Sequence, residues 1–319
     1  MNNLVFILQQ VIICSIPLLI VALAGVFAER SGIINIALDG IMIFGSFVGA
    51  MFAKTMLESN VASGSWLFIL SMLVAAAAGA AFSLLLSFSA INLKADQTIG
   101  GTALNMLAPA LVCSISLVLF NQEKVVMPAK GTGYVIHNDS LPAVLRIFFD
   151  KAYISTFVVI ALFVLLSLWL YKTKTGLRMR SCGEHPQAAA SVGINVYKMR
   201  YLGTTISGAL AGLGGYVYAA TTSAGTAEAT VAGTGFLALA IMIFGNWKPL
   251  GIVLGALMFG LLKCLGVLSS QISFLKGLDM PMYFYNMIPY IVVLIVLGFT
   301  AKKSGCPKAE GIPYEKGQR

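Results

Sequence analysis

Residues 157–171 read "FVVIALFVLLSLWLY", fifteen positions without a charge. A strand of a membrane barrel alternates polar and apolar over about ten residues, and this run does not. A backbone surrounded by lipid must then satisfy its own hydrogen bonds, which makes the run a helix. The rest of the chain has the same character. Of 319 residues, 58% are hydrophobic and 10% charged, with a mean hydropathy of +0.89. Crossing the hydrocarbon takes roughly 20 apolar residues. Segments of that kind start near Leu4, Ile33, Trp66, Ile99, Ala152, Tyr201, Val231, Leu250 and Met282. The expected fold is all-α, a polytopic transmembrane bundle of about 8–10 spans.

The net charge of +9 is concentrated in two places. Lys172, Lys174, Arg178, Arg180, Lys198 and Arg200 flank one loop whose single acid is Glu184, and Lys302, Lys303, Lys308, Lys316 and Arg319 lie in the C-terminal tail. Short loops rich in Lys and Arg stay cytoplasmic, so the charge reports topology and not nucleic-acid binding. Four spans between the two anchors, near 201–220, 231–247, 250–269 and 282–300, return the chain to the same side. The resulting division is a transmembrane domain over 1–301, with a cytoplasmic loop at 172–200 and an external loop at 121–150, and a basic cytoplasmic tail at 302–319. The external loop has room for a short surface helix. The N-terminus comes out external. The first 28 residues lack the basic start of a signal peptide and read as a retained span.

Cys14, Cys113, Cys182, Cys264 and Cys306 are dispersed and His137 and His185 are far apart, so neither a disulfide framework nor a metal site is expected. There is no phosphate-binding G-x-x-x-x-G-K-[ST] motif, no Ser/His/Asp arrangement and no carboxylate pair placed for acid–base work. Asp39 and Lys263 are the clearest ionisable groups at membrane depth, with Glu228 in a loop, fewer than a proton relay needs. Lys263 reads equally well as a side chain that snorkels to an interface.

Within the basic loop, "EHPQAAASVG" (Glu184–Gly193) reads as a short helix: Pro186 suits its start, Ala188–Ala190 its body and Gly193 a left-handed C-cap. Two turns cannot span a membrane. The element either lies at the interface or docks into a partner. Gly208/Gly212, Ala211/Gly215, Gly251/Gly255 and Gly45/Gly49 have the spacing that lets helices approach closely, either inside the bundle or in a dimer. The pentapeptide "IMIFG" occurs at 41–45 and 241–245, a hint of an internal repeat. The stretch "AERSGIINIALDG" (28–40) puts Glu29, Arg30, Asn35 and Asp39 between two apolar runs. It reads as a helix break, with Glu29 and Arg30 paired at the interface and Asn35 and Asp39 directed inward, or else as a plain short loop.

The blocks "ERSGIINIALDGIMIFGSFVGA", "GGTALNMLA", "GEHPQAAASVGINVYKMRYLGTTISGALAGLGG" and "GFLALAIMIFGNWKPLGIVLGALMFG" resemble permeases of ABC importers. The closest group is the nucleoside and simple-sugar permeases that work with basic-membrane-protein-type lipoproteins, with ribose-type and branched-chain amino acid permeases as broader relatives. The resemblance implies the permease fold, a bacterial plasma-membrane location, and import of a nucleoside, with a sugar or other small solute, or a stand-alone facilitator, as alternatives. It implies partners: an ABC ATPase carrying ATP and magnesium, a second, longer permease, and an external substrate-binding lipoprotein. No cofactor is implied in this chain. It also identifies the 172–200 loop as the segment contacting the ATPase, carried by Glu184, His185, Pro186, Gln187, Ala188, Ala189 and Gly193, with Gln187 where the family pattern has Glu. Asn35, Asp39, Thr102, Asn105, Phe236 and Asn286 are the candidates for lining the translocation path.

Overall fold

The computed structural model describes residues 2–59, 64–127, 135–136, 152–268, 281–300 and 305–316. Two long helices form its axis. Helix α1 (Asn2–Ser31) is buried along most of its length, with Leu18 to Ala28 almost wholly inaccessible. The other, α8 (Val196–Thr221), lies against it. Around them stand α2 (Leu38–Glu58), α3 (Ser65–Ser87, continued by a π-turn at Phe88–Asn92), α4 (Gln97–Phe120), α5 (Ile154–Lys172), α9 (Thr234–Phe244), α10 (Pro249–Leu268) and α11 (Met282–Thr300). The short helices α6 (Lys174–Glu184) and α7 (Pro186–Ser191) join α5 to α8.

Among the described residues, six helices, α1–α5 and α10, are long and apolar enough to cross a membrane. Helix α8 has the length at 26 residues, but its glycines, threonines and tyrosines dilute its hydropathy. Helix α9 differs from the expected span at 231–247. It has 11 residues, about 16 Å at 1.5 Å per residue, half the roughly 30 Å of hydrocarbon. The chain before it is unwound, with Ala232 and Gly233 at positive φ (48° and 61°).

Glycine sets how closely the axis packs. A Cβ on Gly212 of α8 would sit 2.9 Å from the Cα of Gly79 in α3, and one on Gly45 of α2 would sit 2.8 Å from the carbonyl oxygen of Gly212. Lipid supplies no hydrophobic force between helices, so dispersion contacts at this range hold α2, α3 and α8 together. The small-residue spacings are thus used inside the chain. Ridges of this kind seat α8 between two helices instead of leaving it free for another subunit.

Contacts exchange in pairs about the axis. Helices α2 and α3 pack on α8 as α9 and α10 pack on α1, and α4 lies against α2 as α11 lies against α9. The repeated "IMIFG" starts at the fourth residue of α2 and the eighth of α9, with Gly245 just past the end of α9, so the two copies lie on counterpart helices about one turn out of register. Both helices start at one point, where the Gly235 N–H donates to Asp39 Oδ1 at 2.7 Å. From there α2 runs to the end of the bundle that carries the two-residue strands β1 (Val125–Val126) and β4 (Thr226–Ala227), which pair antiparallel. Helix α9 runs the other way, to Trp247, whose indole N–H donates to Glu29 at the foot of α1. This is the arrangement of an inverted repeat built on interrupted helices. Strands β2 (Val135–Ile136) and β3 (Ala152–Tyr153) form a second small ladder. The surface helix expected within 121–150 falls outside the described residues, as does His137.

Candidate functional site

Two places have unusual geometry. The first is the meeting point of the interrupted helices. Gly32, at φ 97°, ends α1, and the backbone freed over the next residues must find partners because lipid offers none. Helix α4 provides them. Gln97 Oε1 accepts from Ile34 N at 2.7 Å, Asn105 Nδ2 donates to Ile36 O at 2.9 Å, and Asn105 Oδ1 accepts from Gly40 N at 2.7 Å. The second break is held in a parallel way by α11, with the Tyr290 hydroxyl donating to Ala232 O at 2.5 Å. In each case the held carbonyl belongs to the residue two before the helix start.

Asp39 caps α9 through Gly235 N, placing a carboxylate at the positive end of the helix dipole. Lys263 of α10 does not snorkel. Its ammonium donates to Thr234 Oγ1 and lies 4.8 Å from the centre of the Tyr218 ring. The two intramembrane charges that the sequence isolates, 224 positions apart, thus flank the start of one half-helix.

Of the six translocation candidates, the structure gathers four here. Asp39 and Asn105 are half-buried, Phe236 follows Gly235 and is 47% exposed, and Thr102 stands one turn before Asn105 on the open face of α4. The Thr102 hydroxyl bonds to Thr98 O and Ile99 O of its own helix. Asn35 lies within the first break but turns to α8, buried and donating to Ser207 Oγ at 2.9 Å. Asn286 is exposed on α11, one turn before Tyr290, and borders Gly266 of α10. Glu29 and Arg30 do not pair with each other. Glu29 turns to Trp247, and Arg30 meets Glu184 Oε1 at 3.2 Å.

The second place is the α6–α7 pair. Pro186 opens α7 and Gly193, at φ 84°, follows it. Helices α6 and α7 enclose an apolar groove of about 410 Å³ between Leu177, Ser181, His185, Ala188 and Val192. Leu177 and Val192 are 60% and 75% exposed. His185, Gln187, Ala188 and Gly193 face outward, and Glu184 is partly exposed beside Arg30. Ala189 is the exception. It reaches the floor of the groove but is buried with Cys182, Val196 and Tyr314. Sequence reading missed Leu177 and Val192, because each sits close to other apolar residues, Met179 in the one case and Ala188–Ala190 and Ile194 in the other, and nothing local marks it as exposed.

Residues 7–297 match the family model described as "Branched-chain amino acid transport system / permease component". The chain belongs to this permease family. Nearly the whole permease aligns with the "Guanosine ABC transporter permease protein NupQ" of Bacillus subtilis, at 41% identity over 98% of this chain and 97% of that protein. The "Nucleoside ABC transporter permease protein NupC" of Lactococcus lactis is 40% identical over 99% and 98%. A second Bacillus subtilis protein, "Guanosine ABC transporter permease protein NupP", is 26% identical over 88% of the permease but 78% of its own length. No solved structure matches this chain.

Proposed function

We propose that this permease is the nucleoside-conducting subunit of a bacterial ABC importer, set in the plasma membrane with α6, α7 and residues 305–316 in the cytosol. ATP is hydrolysed on a separate ATPase, which docks on the α6–α7 pair. The observation that carries this reading is the exposed apolar groove between α6 and α7, with Leu177 and Val192 on its rim, at the basic end of an otherwise lipid-facing bundle. An apolar surface on a short, charged loop has no lipid to meet and suits a protein partner. The two named nucleoside permeases, similar from end to end, support the cargo class. The lower identity to NupP, which extends beyond the match, supports pairing with a second, longer permease, and an external lipoprotein completes the importer.

In this mechanism the permease pair alternates between outward- and inward-facing states. Nucleotide on the ATPase shifts that equilibrium only through contacts that differ between the states, and those contacts are made at α6–α7. The substrate passes the junction of α2 and α9, where Phe236 offers an exposed ring face for a base and Asp39, Thr102 and Asn105 offer polar groups.

The test is ATP-dependent uptake of labelled guanosine by vesicles containing the assembled importer. Uptake competed by other nucleosides and not by free ribose or glucose is the expected result. Uptake by this chain without ATPase or ATP, or competition by sugar alone, would overturn the assignment.

A further inference from the structure

We infer that the C-terminal segment 305–316 is a strap that positions the α6–α7 pair and passes its movement into the bundle; this rests on the reading that an ATPase docks there. A basic tail serving topology alone would be solvated and held, if at all, by its lysines. Here Lys308 and Lys316 are exposed; Glu315 pairs with Lys94 at the surface, and the contacts to α6 and α7 are made by backbone groups and one aromatic ring. Ala309 N donates to Gly183 O of α6 at 2.9 Å, and Gln187 Nε2 of α7 donates to Glu315 O at 3.0 Å. Tyr314 is 6% exposed, packed on Cys182, Ala189 and Val196, with its ring edge-on to Tyr197 at 5.2 Å.

The other side of the strap grips the bundle. Arg200 Nη1 donates to Ile312 O at 2.9 Å, and Gly305 N donates to Asn246 Oδ1 at 2.5 Å. Arg200, at 1% exposure, also lies under Gly32, where a Cβ would come within 3.0 Å of its Nη2. Asn246 closes the foot of α9. The strap therefore touches both docking helices, the residue under the first break and the end of the half-helix that follows the second.

A six-residue helix has too few internal hydrogen bonds to be stable alone, so α7 takes its position from what it packs against. Two of those supports, the Tyr314 ring behind Ala189 and the Glu315 carbonyl on Gln187, belong to the strap. Ala309, Tyr314 and Arg200 are in this sense positioning residues for transport. They touch no substrate.

The experiment uses the assembled importer in vesicles with two changes: a stop after Ser304, and Tyr314→Ala. Co-purification with the ATPase, ATP hydrolysis and nucleoside uptake are read together, with Tyr314→Phe as control because it keeps the ring and the Tyr314 carbonyl. Expected are co-purification and ATP hydrolysis lowered by no more than about threefold, and at least a tenfold fall in uptake per ATP, restored in Tyr314→Phe. Cys182, buried under Tyr314 with its thiol pushed up to about 11 by desolvation, should react with maleimide faster in Tyr314→Ala, read in a Cys306→Ser background. Unchanged uptake per ATP in Tyr314→Ala overturns the strap, and so does unchanged Cys182 labelling. If the truncated chain fails to assemble, Tyr314→Ala alone decides. Failure of the docking reading shows differently: a Val192→Cys chain, strap intact, would not cross-link to the ATPase.

Discussion

Replacing Asp39 by alanine removes the acceptor of the Gly235 N–H at the start of the half-helix α9. The bond is 2.7 Å long and charge-assisted, a class worth about 1.5–3 kcal/mol net, and loss of an N-cap side chain costs about 1 kcal/mol. These overlap, so about 2 kcal/mol is a fair total. At 1.4 kcal/mol per tenfold, the half-helix α9 shifts away from its docked position by roughly thirtyfold. Asparagine at 39 keeps an oxygen in place but gives up the charge, and neutral bonds are about half as strong. It should lose about 1 kcal/mol, roughly fivefold. The assay is initial nucleoside uptake by vesicles, normalised to co-purified ATPase so that assembly is held constant. The expected order is wild type, then Asp39→Asn, then Asp39→Ala. Equal losses in the two variants would show that the charge beside Lys263 matters and the cap does not. If both stay within about twofold of wild type, the junction has no part in transport.

Three further outcomes follow from the same geometry. Gly212→Val drives its side chain into the backbone of Ala75 and Gly79, at a cost of at least about 1–3 kcal/mol, and should abolish the monodisperse peak in detergent size-exclusion chromatography. Val192→Asp should leave that peak intact while cutting co-purified ATPase and uptake by more than about tenfold, because the residue faces outward and bears no load within the chain; Ala189→Glu should damage both, since Ala189 is buried. Burial holds the Glu310 carboxyl above its ordinary range, with Glu29, Arg30 and Cys306 facing it. An acid whose value is raised in the docked state binds its proton more tightly there, so its contribution is complete below about pH 4.5 and is lost as pH rises through the raised value. The ratio of Cys182 labelling in wild type to that in Glu310→Gln should therefore increase with pH, both in the Cys306→Ser background, and a flat ratio would refute it.

The helical class was legible because a run such as 157–171 leaves the backbone one solution. So was α7, whose Pro186, Ala188–Ala190 and Gly193 each have a local reason to be where they are. The half-helix was not legible, since "VAG" (231–233) before it is apolar enough to be counted into a span, and only the tertiary partner Tyr290 reveals that the chain there is unwound, with Ala232 N held locally by Thr230. Pairings were hidden for another reason. Glu29 and Arg30 are adjacent and opposite in charge, yet their partners Trp247 and Glu184 lie 218 and 154 positions away, and nothing local marks them. The tail misled through composition, because its lysines dominate the count while Tyr314, the backbone and the acids Glu310 and Glu315 make the contacts.

Helix α9 explains why the two unusual places belong to one device. Its foot is fixed three times: Trp247 donates to Glu29, Tyr171 donates to the Trp247 carbonyl, and Asn246 accepts from Gly305 of the strap. Its head, about 16 Å away along a rigid helical rod, is Thr234–Gly235, held by Lys263 and Asp39. A rod of 11 residues does not bend appreciably, so a displacement imposed at the foot arrives at the head nearly undiminished. Asp39 then hands it to α2, which starts at the same point and runs the opposite way. A continuous helix at α9 would spread such a displacement over the full membrane thickness, whereas the break concentrates it at the level where Asp39, Asn105 and Phe236 meet.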